Sequence, residues 1–129
     1  MEAFTIDADL TGGPTAAAQA RRLVERELHG RVSAQVLADV SLLVTELIAN
    51  GVVHGGARDG SLLHLMLEGQ RRGLHVEVVN PNGAHGEPAV RKADMSGGGG
   101  IGLNLVEALA TRWGVRSKPR TTVWFELDC

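Results

Sequence analysis

The chain has a single cysteine, no tyrosine, and only two tryptophans and two phenylalanines in 129 residues. The lone Cys129 has no second thiol to pair with and no Cys/His spacing that suits zinc. This excludes a disulfide framework and a structural zinc site, and it is the cysteine usage expected of a reducing compartment. With so few rings, stacking platforms for bases are not expected. A net charge of only −2 and a pI of about 6.2 give no global basic field, so nucleic acid is not an expected partner, and Arg21-Arg22 and Arg71-Arg72 read as solvated positions. No apolar run approaches the length of a membrane span, and the N-terminus lacks the basic-then-apolar form of a signal peptide. The expectation is therefore no membrane association and a cytoplasmic location. There is no internal repeat. At 43% hydrophobic composition the chain suits one domain, 1–129, around one core that must be aliphatic and alanine-rich.

The periodicity orders the elements. Glu2 to Ala8 reads as a short edge strand, followed by the breakers Thr11-Gly12-Gly13-Pro14-Thr15, with Pro14 suited to a first helical turn. Ala20, Leu23, Val24 and Leu28 then sit at helical spacing before His29-Gly30 closes the segment, with Arg21, Arg22, Glu25 and Arg26 off that face. Ser33 is placed to cap a second helix that stops at Gly55-Gly56. Ser61–Glu68 and Leu74–Val79 form a hairpin around Gly69-Gln70-Arg71-Arg72-Gly73, with Leu74, Val76 and Val78 alternating against His75, Glu77 and Val79. From Asn80 to Gly100 no period holds, a long stretch to leave irregular in a compact domain and one whose length suits a lid or a disordered loop. Leu103, Val106, Leu109, Ala110 and Trp113 mark a third helix. Strands at about Gly114–Ser117 and Thr121–Leu127 then flank Lys118-Pro119-Arg120. Strands arriving in adjacent pairs do not build a doubly wound parallel sheet. The expected fold is a two-layer α/β sandwich, a mixed, mainly antiparallel sheet with helices on one face.

Polar residues on the second helix stand out against this frame. With Glu46 set at 0° and about 100° per residue, Asn50 falls near 40° and His54 near 80°, while Val36, Leu37, Val40, Leu43, Val44, Leu47 and Ile48 span roughly 60° to 200°. A carboxylate and an amide thus border the buried face. They are costly to dehydrate without a partner, and a hydrated divalent cation holding a phosphate chain is one that fits. In such a site Asn50 holds Mg²⁺ and Glu46 orients or deprotonates an attacking hydroxyl; a solvated helix glutamate is the simpler alternative. His54 either joins the site or complements the negative end of the helix dipole.

Downstream, Gly97-Gly98-Gly99-Gly100-Ile101-Gly102 runs straight into the third helix. Its G-x-G-x-x-G spelling has no preceding strand and too little following chain for a dinucleotide βαβ unit, and no Walker A loop is present. Glycines that let backbone approach an anion, followed by free N–H groups at a helix start, suit phosphate; a flexible linker is the other reading.

Glu46-Leu-Ile-Ala-Asn50 with His54 resembles the N-box of the GHKL superfamily, the ATP-binding fold shared by gyrase and the histidine kinases. Gly98-Gly99-Gly100-Ile101-Gly102-Leu103 resembles its second glycine box. The wording from Leu43 to Asn50, from Val106 to Gly114 and from Thr122 to Phe125 is similar to small actinobacterial anti-sigma-factor serine/threonine kinases. The resemblance covers nearly the whole chain. It implies a single histidine kinase-like ATPase domain of the Bergerat type that binds ATP with Mg²⁺. Glu46 would be the catalytic base and Asn50 the metal ligand, with His54, Asn80, Asn82, Gly98, Gly100, Ile101, Gly102, Leu103 and Thr122 around the nucleotide. It further implies a sigma factor or an anti-sigma-factor antagonist as partner, and a homodimer as one assembly state.

The chain departs from the family where the strand before the irregular segment ends. Asn80 replaces an aspartate that accepts from the adenine amino group, and Asn82 and Ala84 stand where glycines are usual. Gly99 occupies a place where relatives carry a basic residue, leaving Arg91 or Lys92 as substitutes. Two functions follow as expectations: phosphoryl transfer from Mg-ATP to a partner protein, or a non-catalytic protein-binding module of the same fold with weakened nucleotide binding. The catalytic half of a histidine kinase suits the chain poorly, since no helical hairpin with a phospho-acceptor histidine precedes the motifs.

Overall fold

A computed structural model of the chain describes residues 3–53, 62–80, 101–116 and 120–129, with backbone alone described at 50–53 and 101–103. The elements are β1 (Phe4–Thr11), α1 (Ala16–Leu28), α2 (Ala34–Val53), β2 (Leu62–Gln70), β3 (Gly73–Asn80), α3 (Ile101–Leu109), β4 (Arg112–Arg116) and β5 (Thr121–Asp128). The strands form one sheet in the order β1-β2-β3-β5-β4.

Every described strand pair is antiparallel, so the sheet expected to be mainly antiparallel is wholly so among the described residues. The connection through α3 does join two strands that run in the same direction, β3 and β4. They never pair, because β5 inserts between them and runs against both. The two-layer sandwich stands.

Local chemistry sets the boundaries. Pro14 lies in the turn before α1 and not in its first turn, where Ala16 N–H bonds the Gly13 carbonyl at 3.2 Å. Helix α1 ends where Gly30 takes a left-handed φ of 81°, and the Arg31 N–H returns to the Leu28 carbonyl at 2.9 Å. Ser33 caps α2 as expected, its Oγ accepting from the Val36 N–H at 3.2 Å. The β2–β3 hairpin is tighter than the glycine spacing suggests: Gln70 pairs with Gly73, so only Arg71 and Arg72 turn the chain.

Trp113 is not the last residue of the third helix. It lies on β4 opposite Phe125, while its indole N–H donates to Glu107 of α3.

The core lies between the helices and one face of the sheet. Of the stripe read from the sequence on α2, Val40, Leu43, Val44, Leu47 and Ile48 are buried and Val36 and Leu37 are half-buried against the core. They join Ala16, Ala20, Val24 and Leu28 of α1 and the alternate residues Leu63, Leu65, Leu67, Leu74, Val76, Phe125 and Leu127 of the sheet. Phe125 is the one fully buried aromatic among the described residues, flanked across the sheet by Val76 and Trp113. Helices α1 and α2 pack along each other, and α2 also touches α3 and β3.

Candidate functional site

The helix-covered face of the two central strands is apolar until its last residue pair. On β3, Leu74, Val76 and Val78 are in phase with Asn80, and on β5, Leu127, Phe125 and Val123 are in phase with Thr121. The register sets Asn80 beside Thr121. An amide and a hydroxyl therefore stand together at 7% and 6% exposure on a face otherwise made of aliphatic and aromatic carbon. Dehydrating such groups is costly unless they are hydrogen-bonded, and both residues are engaged. Their groups, two amide donors, an amide acceptor and a hydroxyl that does either, are of the kind that meets the polar edge of a planar ligand.

Thr122, expected at the nucleotide, belongs to the opposite phase with Trp124 and Glu126. It pairs with Val79, and its hydroxyl donates to the Arg120 carbonyl at 3.5 Å. Thr121 is the threonine that shares a face with Asn80. Counting back in twos from Phe125 was the signal available in the sequence.

Those of the remaining expected site residues that are described lie on α2 and α3. Glu46 is half-buried on α2, on the rim of the buried stripe, one turn before Asn50. Asn50 lies in the last turn of α2, and its side chain lies outside the described residues. Eight residues separate α2 from β2, whose His64 pairs with Val79 beside Asn80, so β2 begins at the end of the sheet where β3 finishes. Ile101, Gly102 and Leu103 form the first turn of α3, with backbone only described. Asn104 follows in that helix, and it is engaged. His54, Asn82, Gly98 and Gly100 lie outside the described residues, as do Gly99, Arg91, Lys92 and the whole segment 81–100.

A second polar constellation, which the sequence reading missed, occupies the other face of the sheet. His75 on β3 contacts Glu126 through Nδ1 and Glu77 through Nε2, both at 2.8 Å, and its ring stacks on Trp124 at 5.7 Å between centroids. Arg116 reaches Glu77 at 3.0 Å, and Arg112 binds Glu126 at 2.8 Å and Asp128 at 2.5 Å. Near the other edge, His64 contacts Asp9 and Asp7 at 2.9 Å each.

Two carboxylates on opposite nitrogens of one ring favour the imidazolium, since only that form donates from both. The Asp9 bond raises His64 above the ordinary histidine range, against the pull of burial, with Asp7 adding to it. For His75 burial is the largest influence and lowers it, yet the Glu77 and Glu126 bonds and charges together carry it upward. Arg112 and His75 hold Glu126 below the usual carboxylate range. Burial pushes Glu77 up, but His75 and Arg116 outweigh it and leave Glu77 lowered. Because each ring nitrogen faces a different carboxylate, nothing converges on a common point. Among the described residues no group of three or more His, Cys, Asp or Glu is arranged to hold a metal ion, and no helix is long and apolar enough to cross a membrane.

No curated protein is significantly similar to the chain. The family model of the histidine kinase-like ATPase domain, however, matches residues 10–127. That span runs from the buried Leu10 of β1 to Leu127 of β5 and includes α2, α3, Asn80 and Thr121. A sheet covered on one face, with its buried polar pair closing the covered face of its central strands, thus lies within a match over nearly the whole chain, and the chain belongs to the histidine kinase-like ATPase domain family, an ATP-binding fold.

Proposed function

We propose that the protein is a regulatory serine/threonine kinase that takes phosphate from Mg-ATP and transfers it to a partner protein. The partner would be an anti-sigma-factor antagonist, with a sigma factor as the bound target. The observation that carries the nucleotide reading is the Asn80–Thr121 pair, two buried polar side chains ending an apolar sheet face. Planar heterocycles are held by such a setting, in which apolar walls bury the ring and a few polar groups fix its orientation. The Asn80 amide oxygen would accept from the adenine amino group, and the Thr121 hydroxyl would complete the polar edge.

Asn50 would hold Mg²⁺, and the glycines at 98, 100 and 102 with the α3 N-terminus would hold the phosphates. Magnesium supplies charge neutralisation on the transferring phosphoryl oxygens. Glu46, one turn from Asn50, would accept the proton of the partner's hydroxyl as it attacks. Its half-buried position on the rim of the core suits a carboxylate that must reach a proton without being free in solvent.

A second reading has its own observation. Asn80 is a neutral amide where relatives place a carboxylate, which removes one charge-assisted hydrogen bond. The protein would then keep the fold and its partner surface but bind nucleotide weakly, acting as a docking module.

Calorimetric titration with ATP, with and without Mg²⁺, separates the two. The kinase reading expects Mg²⁺-dependent binding that falls with Asn50→Ala. Glu46→Ala should leave binding nearly intact while phosphoryl transfer is lost, because a base acts in the reaction and not in the ground state. Absence of ATP binding by the wild-type chain at millimolar nucleotide would leave the docking module as the better reading.

A further inference from the structure

The covered face of the five strands carries no ionisable side chain among the described residues. Buried polar side chains occur on it only at Asn80 and Thr121, side by side where β3 ends and β5 begins. One step inward, Leu65, Val78, Val123 and Val115 form an apolar row across four strands. The polarity of this corner is therefore set by an amide and a hydroxyl alone. Neither has a fixed sign: an amide carries a donor and an acceptor on adjacent branches, and a hydroxyl does either. A carboxylate at residue 80 would only accept.

We propose, resting on the nucleotide reading of this site, that it accepts 6-oxopurine nucleotides as well as adenine nucleotides, with Asn80 as the residue that sets the choice. Adenine presents a 6-amino donor beside the ring acceptor N1. Hypoxanthine and guanine present the reverse, a 6-oxo acceptor beside an N1–H donor. In one orientation the Asn80 Oδ1 accepts from the 6-amino group while Nδ2 donates to N1. A half-turn about the Cβ–Cγ bond exchanges the two branches, so that Nδ2 donates to the 6-oxo group and Oδ1 accepts from N1–H. That terminal torsion is broad and roughly two-fold, so the exchange carries little intrinsic cost.

The Thr121 hydroxyl rotates to match either arrangement. Both side chains are engaged in the free protein, so a base enters by exchanging those bonds for its own. Strong discrimination, on the order of 10⁴-fold, arises where the wrong ligand leaves a buried polar group unpaired. Neither purine does so against an amide. A carboxylate differs, because a 6-oxo group would set one acceptor against another. At 7% exposure Asn80 has little water to relieve such a mismatch, and the sign of the group at this position decides the base.

The test is calorimetric titration of the full chain with Mg²⁺ and ATP or ITP, each to millimolar concentration. ITP is the probe because it differs from ATP only at the 6-position and N1. Wild type should bind the two within about tenfold of each other. Asn80→Asp should tighten ATP about tenfold and weaken ITP at least about tenfold, opening a preference of at least about a hundredfold. Asn80→Leu, which keeps the volume and removes both amide groups, should weaken ATP and ITP together and leave their ratio within about tenfold. Circular dichroism establishes that each variant is folded, and the wild-type comparison is decisive without them. Wild type that binds ATP but prefers it to ITP by about a hundredfold or more overturns the proposal and leaves the nucleotide reading standing. So does a folded Asn80→Asp protein whose ATP-to-ITP ratio equals that of wild type. Wild type that binds neither nucleotide overturns the proposal and the nucleotide reading together.

Discussion

The two faces of one sheet spend polar residues in opposite ways. On the covered face polar side chains are scarce and local: apart from Asn80 and Thr121 the inward residues of β3 and β5 are apolar. On the open face they are abundant and linked, with Arg112, Glu126, His75, Glu77 and Arg116 forming one chain of contacts across three strands. A buried amide is expensive and therefore marks a place where something besides folding is served. A charge on an open face costs little, so its presence says nothing until its geometry is known. The nucleotide reading rests on identity at a rare position.

The sharpest way to break the contrast is to damage each face by removing an aromatic. Phe125→Ala opens a cavity beneath both helices and should cost about 3–5 kcal/mol, enough to threaten folding at ambient temperature. Trp124→Ser, on the next residue but the other face, should cost much less and leave a cooperative transition. Urea unfolding of the pair measures the difference. Comparable losses would mean that the open face is as much a core as the covered one.

Next in size is Asn80→Asp. If the covered face ends in a weakened adenine contact, a carboxylate there should tighten ATP by about tenfold, or ~1.4 kcal/mol, through a charge-assisted bond to the amino group. GTP should gain nothing, because its ring presents a carbonyl at that edge. Without nucleotide the same variant should be less stable than wild type, since a carboxylate would replace an amide at 7% exposure. Calorimetry with both nucleotides and a thermal scan of the free protein test the three parts together. An Asn80→Asp protein that binds no ATP would favour the docking module.

What the sequence disclosed follows the same division. The stripe on α2, the Ser33 cap and the alternation through β2 and β3 were legible because each is a local period with a strong burial contrast. Trp113 misled because Leu103, Val106, Leu109, Ala110 and Trp113 keep helical spacing across the end of α3, and the five residues of β4 are too few to display a period of two. The mainly antiparallel character was legible from the adjacent strand pairs, but the strand order was not. Insertion of β5 between β3 and β4 is a long-range pairing that no local pattern encodes. Thr121 and Thr122 are the same residue type side by side, so only the phase set by Phe125 tells them apart. Asn80 drew attention through family resemblance, since by composition an asparagine before a proline reads as the start of a turn. The ion chain on the open face was invisible because its members lie up to 51 residues apart, as His75 and Glu126 do.

Two serines, one capping α2 and one inside it, carry the comparison to smaller energies. Ser33 caps α2, and Ser33→Ala should cost about 1 kcal/mol by leaving the Val36 N–H without its side-chain acceptor. Ser41 is 8% exposed, and its hydroxyl has no hydrogen-bond partner among the described residues. Ser41→Ala should therefore stabilise by about 1 kcal/mol, relieving an unsatisfied hydroxyl and gaining helix propensity. Opposite signs in thermal unfolding are the expected result, and a loss of stability for Ser41→Ala would reveal a partner for that hydroxyl.

The smallest expected effect belongs to the open face and is read against pH. His64 and His75 have pKa values raised by folding, so the unfolded chain releases these protons first as pH rises. Their contribution is fully present below the unfolded value of about 6.5 and is lost as pH climbs through the higher folded values. Glu77 and Glu126 shift the other way, so their contribution is present above about 4.3 and is lost as pH falls through their lowered folded values. Stability from this face should thus be greatest between about pH 4.5 and 6.5 and decline on both sides. His64 is 38% exposed and its pairs are screened, so it should contribute less than His75 at 17%. Unfolding of His75→Gln and His64→Gln from pH 5 to 9, with 0.15 M and 1 M salt compared, separates them. The alkaline decline should flatten more in His75→Gln, and high salt should erase more of the His64 part. A decline that persists unchanged in both variants would assign the titration to groups outside this face.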